Sequence, residues 1–163
     1  GKIIVTGLAA DSNKLQMALA LGADHIIDVQ NENVVDRVRA LTNGKGADVI
    51  VEVTSYATQP VREALDCVRM GGTVVLAGVK GFKPVSDFVS DLIVMKEITI
   101  KGAIGVTSSG YKKAIEMIER RKYPLELMHT HNFELEEAEL AIKTLARQIE
   151  GRESVHSCLI PAT

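Results

Sequence analysis

The chain has 163 residues, 46% of them hydrophobic and 25% charged, with a net charge of -2. That balance suits one globular domain with a substantial core and excludes a disordered polypeptide. Lys and Arg are scattered and offset by Asp and Glu, which excludes the basic footprint of a nucleic-acid binder.

The first element predicted is a buried parallel strand over Ile3 to Thr6, in the opening GKIIVTGLAADS. Asp11 or Ser12 then caps a helix whose Leu15, Ala18, Leu19 and Leu21 fall at helical spacing before Gly22 ends it. A short strand is expected over His25 to Asp28. Asn31 is expected to cap the next helix, in which Val34, Val35, Val38 and Leu41 make the apolar face and Asn43-Gly44 the stop. DVIVEV (48–53) is apolar at nearly every position, as in a parallel strand with helices over both faces. A helix ending at Gly71-Gly72 follows, with Val61, Ala64, Leu65 and Val68 inward, then a strand TVVLAGV (73–79). A shorter helix in SDFVSDLIVMKE, a strand ITIKGAIG (98–105) and an amphipathic helix closed by Pro124 complete the alternation. Such alternation predicts an α/β fold, a doubly wound parallel sheet with right-handed crossovers. The tail from Leu125 adds an extended piece, a helix over about 135–149 and a strand near Val155 to Ile160, which that sheet does not require.

Ligands of open α/β sheets bind beyond the carboxyl ends of the strands. The residues there are Gly7-Leu8, Thr54-Ser55, Ala77-Gly78-Val79 and Ala103-Ile104, all small, apolar or hydroxylic. Any one of them serves a tight strand-to-helix turn; together they suit a flat ring and a sugar laid against the backbone. The chain has no GxGxxG loop, and GKG (44–46) and GVKG (78–81) read as turns. No metal ligand set is expected: Cys67 and Cys158 read as small apolar thiols in a reducing compartment, too few for a disulfide framework or structural zinc cluster. His129 and His131 stand two apart, on one side of an extended segment, without an accompanying ligand at the required spacing. Ser108 and Ser109 suit a helix cap, and the carboxylates of ELEEAE a helix N-terminus. No apolar run approaches a membrane span and no leader precedes the first strand. The expected protein is therefore cytoplasmic, with neither membrane nor nucleic-acid partners.

The segments IIVTG, KLQMALALGADHIIDV, GKGADVIVEVT, ALDCVRMGGTVVLAGV, ITIKGAIG and THNFELEEAELAI occur in an order that resembles the coenzyme-binding part of zinc-dependent medium-chain alcohol dehydrogenases, the group of sorbitol and threonine dehydrogenases. The resemblance runs from Lys2 to Pro161. It implies a Rossmann-like domain over 1–124, binding NAD or NADP, and an extension over 125–163 that returns to a catalytic domain. It places Gly7 where the adenosine ribose is read, with Leu8 beside it; a glycine there leaves room for a 2'-phosphate, which Ser12 or Lys14 would approach. Thr54, Ala77, Gly78, Val79 and Ala103 match positions that line the nicotinamide and its ribose, and His156 a basic residue that reaches the pyrophosphate.

The same resemblance assigns zinc, the catalytic residues, the first Rossmann strand and the glycine loop to sequence outside this chain. The chain alone is then expected to be inactive, and to form a homodimer through the 98–105 edge strand. Without the first Rossmann strand, IIVTG and DVIVEV are expected to pair directly or to exchange with another chain. The alternative function is a non-catalytic nucleotide-sensing or oligomerising α/β module.

Overall fold

The computed structural model describes residues 1–161. In chain order it contains β1 (Ile4–Gly7), α1 (Ser12–Ala20), β2 (His25–Asp28), α2 (Val34–Leu41), β3 (Ala47–Glu52), α3 (Gln59–Cys67), β4 (Val68–Leu76), α4 (Asp91–Lys96), β5 (Thr99–Gly102), α5 (Ser108–Glu119), β6 (His131–Glu134), α6 (Ala138–Leu145) and β7 (Ser157–Ile160). This is the α/β alternation expected, followed by a helix and strand extension. The strands form three small sheets, β1-β2, β3-β4-β5 and β6-β7. Parallel pairing joins β3 to β4, β4 to β5 and β6 to β7. Direct pairing of β1 with β3 does not occur: the two strands belong to different sheets.

The chain divides into two compact units. One comprises Thr6–Ala10 and Ile27–Ser108. Its core is Ala64, Leu65, Val68, Val74 and Ile98, packed against Ile50, Leu76, Leu92 and Ile93. These come from α3, α4, one face of β3 and β4, and Ile98 just ahead of β5. On β3 the other face is open, with Val49 57% and Val51 60% exposed. The run DVIVEV, apolar at nearly every position, had implied cover on both faces; on β3 only one is covered here.

Local chemistry accounts for the helix ends in this unit. Asn33, not Asn31, caps α2, its side-chain oxygen accepting from Asp36 N–H at 3.0 Å. Asn31 instead donates to Asp28 Oδ2 at 2.7 Å. Asn43 and Gly44, both at positive φ, end the helix as expected. Pro60 lies in the first turn of α3, where its missing N–H is harmless. At its other end the Lys96 ammonium donates to the carbonyls of Leu65 and Asp66 at 2.6 and 3.2 Å, satisfying acceptors the last turn leaves open.

Cys67 closes α3 and is 4% exposed. Burial pushes its thiol from 9.0 to about 11, with the charges of Glu63 and Asp66 adding to the shift. A raised thiol pKa stabilises the fold below the unfolded value, and that stability is lost as pH rises through the folded value. Roughly 2 kcal/mol should therefore disappear between about pH 9 and pH 11. Urea titrations of the wild type and Cys67→Ala across that window measure it: the alkaline fall should be shallower in the variant, and equal slopes would refute the assignment.

The second unit comprises Gly1–Val5, Asp11–Ile26 and Ser109–Thr163, of which residues up to Pro161 are described. It buries Leu15, Phe133, Ala141 and Thr144. The Thr144 hydroxyl, fully enclosed, donates to the Leu140 carbonyl at 2.8 Å. Glu134 and Glu137 make a reciprocal capping box at the turn that leads into α6, so the ELEEAE carboxylates serve a helix start. Asp11 precedes α1 without a capping bond of its own; its carboxylate meets Lys14 and Arg147 instead.

Candidate functional site

The carboxyl ends of β3, β4 and β5 lie side by side, and five residues singled out from the sequence meet there. Ala77 and Gly78 N–H both donate to the Glu52 carbonyl, at 2.8 and 3.0 Å. Ala103 N–H donates to the Leu76 carbonyl at 2.9 Å, and Tyr56 N–H to the Val79 carbonyl at 3.1 Å. Thr54, Ala77, Val79 and Ala103 are exposed along this edge. The backbones approach most closely at Gly78: a Cβ built there would stand 2.2 Å from the Thr54 carbonyl oxygen and 2.6 Å from the Val53 carbonyl carbon. No side chain fits between them.

Beneath this edge sits a buried ion pair that sequence reasoning missed. Glu52, on β3, is 4% exposed. Its Oε2 lies 2.6 Å from Lys80 Nζ, while Oε1 accepts from Thr54 N–H at 2.8 Å. Lys80 Nζ also donates to the Thr54 carbonyl. Both carboxylate oxygens are thereby satisfied, and Thr54, two residues past β3, is tied to Lys80, the residue after Val79. A signal did exist: Glu52 is a charge set among the valines of VIVEV, and such a group, once buried, requires a cation. Which of 19 Lys and Arg residues supplies it is set by the β3-β4 pairing, not by local pattern.

The remaining candidates are placed as follows. Gly7 ends β1, its carbonyl accepting from Val29 N–H at 3.0 Å, and Leu8 follows it 46% exposed. Ala9 N–H donates to Gln30 Oε1 at 2.9 Å, anchoring the turn after β1. Lys14 lies on α1, 3.5 Å from the Asp11 carboxylate. His156 precedes β7, with its Nδ1 3.3 Å from His129 Nδ1 and the two rings edge to face at 5.5 Å. His129 and His131 do not act together: His131 stacks on Phe133 at 5.8 Å, and its Nδ1 is buried without a hydrogen-bond partner. Gly7 and Leu8 divide from Lys14 and His156 between the two compact units, and the five strand-end residues lie with Gly7 and Leu8.

Among the described residues within 1–120, no three His, Cys, Asp or Glu side chains converge as metal ligands. No described helix is long and apolar enough to cross a membrane.

Comparison with known proteins bears on this arrangement. A "Probable alcohol dehydrogenase" of Mycobacterium tuberculosis is 35% identical over 99% of this chain, and the match takes in 44% of that protein. The erythritol/L-threitol dehydrogenase of Mycolicibacterium smegmatis is 34% identical over 99% of this chain and 42% of its own length. The crystal structure of a Thermotoga maritima alcohol dehydrogenase superimposes with a TM-score of 0.86 at 28% identity, over 99% of this chain and 44% of that one. The chain thus spans less than half the length of these relatives. The family model described as "Zinc-binding dehydrogenase" matches residues 1–120, which include every strand-end residue named above. By that match the chain belongs to the zinc-binding dehydrogenase family.

Proposed function

We propose that this chain is the coenzyme-holding part of an oxidoreductase that moves a hydride between an alcohol or polyol and NAD or NADP, with zinc assistance supplied elsewhere in the whole protein. The observation that carries the reading is the meeting of Thr54, Ala77, Gly78, Val79 and Ala103 at one sheet edge, where Gly78 closes against the Thr54 backbone. When bound, the nicotinamide supplies the hydride chemistry. This chain's residues bind and orient: small side chains at Ala77, Gly78 and Ala103 leave a flat surface for a ring, and Val79 covers part of it. Gly7 leaves the ribose end without a carboxylate, so a 2'-phosphate is tolerated there. Lys14 and His156, in the other unit, are assigned to phosphates on the family resemblance.

Calorimetric titration of the chain with NAD and with NADP tests this. Saturable binding that Gly78→Val weakens at least about tenfold is expected, and Gly7→Asp should shift preference toward NAD by about tenfold. Absence of binding at millimolar coenzyme would sink the reading. Turnover of an alcohol by the chain alone would show that catalytic groups lie within it.

The same proposal includes a homodimer through 98–105. β5 is terminal in its sheet and exposed along Thr99–Gly102, with Ile100 36% exposed. Sedimentation should show a dimer that Ile100→Lys dissociates. Dimerisation without any coenzyme binding would favour the non-catalytic module instead.

A further inference from the structure

The second unit holds a cluster of which only His156 entered the reading above, through the coenzyme phosphates. His129, His156 and Cys158 each present one ligand atom, and those three atoms lie within 4.8 Å of one another. The three residues lie outside the stretch matched by the family model. His156 immediately precedes β7 and Cys158 is its second residue, two positions apart, and their ligand atoms face the same place. Cys158 is the register partner of Asn132 on β6. His129, just ahead of β6, reaches the same place because the Thr130 hydroxyl and N–H both donate to the His156 carbonyl, at 3.0 Å each.

We propose that His129, His156 and Cys158 form a binding site for a zinc-class divalent cation, with the fourth position open to water. Two observations converge on it. The first is spacing. Zinc held at about 2.0 to 2.1 Å from nitrogen and about 2.3 Å from sulfur places neighbouring tetrahedral ligand atoms roughly 3.3 to 3.6 Å apart. The two imidazole nitrogens are already 3.3 Å apart. Both histidines are exposed, so small side-chain rotations bring the sulfur to the same centre.

The second is the outer partner. His129 Nε2 lies 2.8 Å from Asn132 Oδ1. With the Asn132 amide oxygen as acceptor, the tautomer protonated on Nε2 is the one that offers the His129 Nδ1 lone pair to the cluster, the device by which ligating histidines are oriented. On binding, the Cys158 thiol gives up its proton to solvent and the thiolate bonds the cation. His156 carries its proton on Nε2 and coordinates through Nδ1. One proton is released and no electron moves.

Titration of the metal-free chain with Co²⁺ and then Zn²⁺ decides the matter. One cobalt per chain should bind with the thiolate charge-transfer band and the intense visible bands of a tetrahedral site, and zinc should displace it. Cys158→Ser should abolish the charge-transfer band, and it and His129→Ala should each weaken zinc at least about 100-fold; Asn132→Ala should weaken it about 10-fold. His131→Ala should leave zinc affinity unchanged. Zinc should also slow alkylation of Cys158 in the unmutated chain, a readout that needs no variant to fold. Wild-type cobalt spectra without a thiolate band, or zinc affinity that survives Cys158→Ser, would overturn the site. Zinc affinity that survives His156→Ala equally overturns it, whatever that change does to NADP.

Discussion

Lys80→Met is expected to lower the stability of the chain by about 3 to 5 kcal/mol, the loss seen when one partner of a buried ion pair is removed. The reason is Glu52. Its side chain is 3% exposed, so the carboxylate cannot recover in water what the ammonium at 2.6 Å provides. The Thr54 carbonyl loses a donor in the same step. Urea denaturation followed by circular dichroism measures the effect through the midpoint. Replacing both partners, Glu52→Leu with Lys80→Met, should recover much of the loss, because neither charge is then stranded. A single-variant loss below about 1 kcal/mol would mean that water reaches Glu52 and that the pair behaves as a surface bridge.

Gly78→Ala is the second large effect, and its origin is steric. The added methyl would meet the Thr54 carbonyl oxygen at 2.2 Å and the Thr54 carbonyl carbon at 2.7 Å. These are backbone atoms, so no rotamer relieves the clash and the ends of β3 and β4 must part. Forcing atoms into a packed site costs about 1 to 3 kcal/mol. The same displacement takes Thr54 away from Ala77 and Val79, so coenzyme binding should fall more than stability does. Gly102→Ala is the matched control: nothing lies within 4 Å of its Cβ position, and the change should stay within about 0.5 kcal/mol. Equal effects at the two glycines would remove Gly78 from the candidate site.

The alternation of strands and helices was legible because each element carries its own period. β2 and α2 fall where apolar spacing and turn residues put them. Strand ends were legible too, since an α/β topology specifies which end matters before any side chain is placed. The α2 cap was misplaced by two residues, between two asparagines separated only by their partners: Asp36 N–H for Asn33, Asp28 for Asn31.

What escaped the sequence is contact across distance. Glu52 and Lys80 are 28 residues apart, His129 and His156 27. No local period links them. In HTH the eye pairs His129 with His131, but the chain turns into β6 between them and sends the second ring to Phe133. The useful spacing was His156 to Cys158, the residue before β7 and the second residue on it. The cover of β3 escaped for a related reason: apolarity states that a face suits burial, not which segment buries it.

That bare face sets the solution behaviour of the chain. Among the described residues β3 has one strand neighbour, and Val49, Val51 and Val53 are each more than half exposed. A terminal strand with exposed valines is a template on which like strands accumulate. Solubility should then be limited by association of intact molecules and not by unfolding. Sulfate, which strengthens apolar association while stabilising the fold, should precipitate the chain in a native state, and a lysine at position 51 should raise the concentration at which this happens.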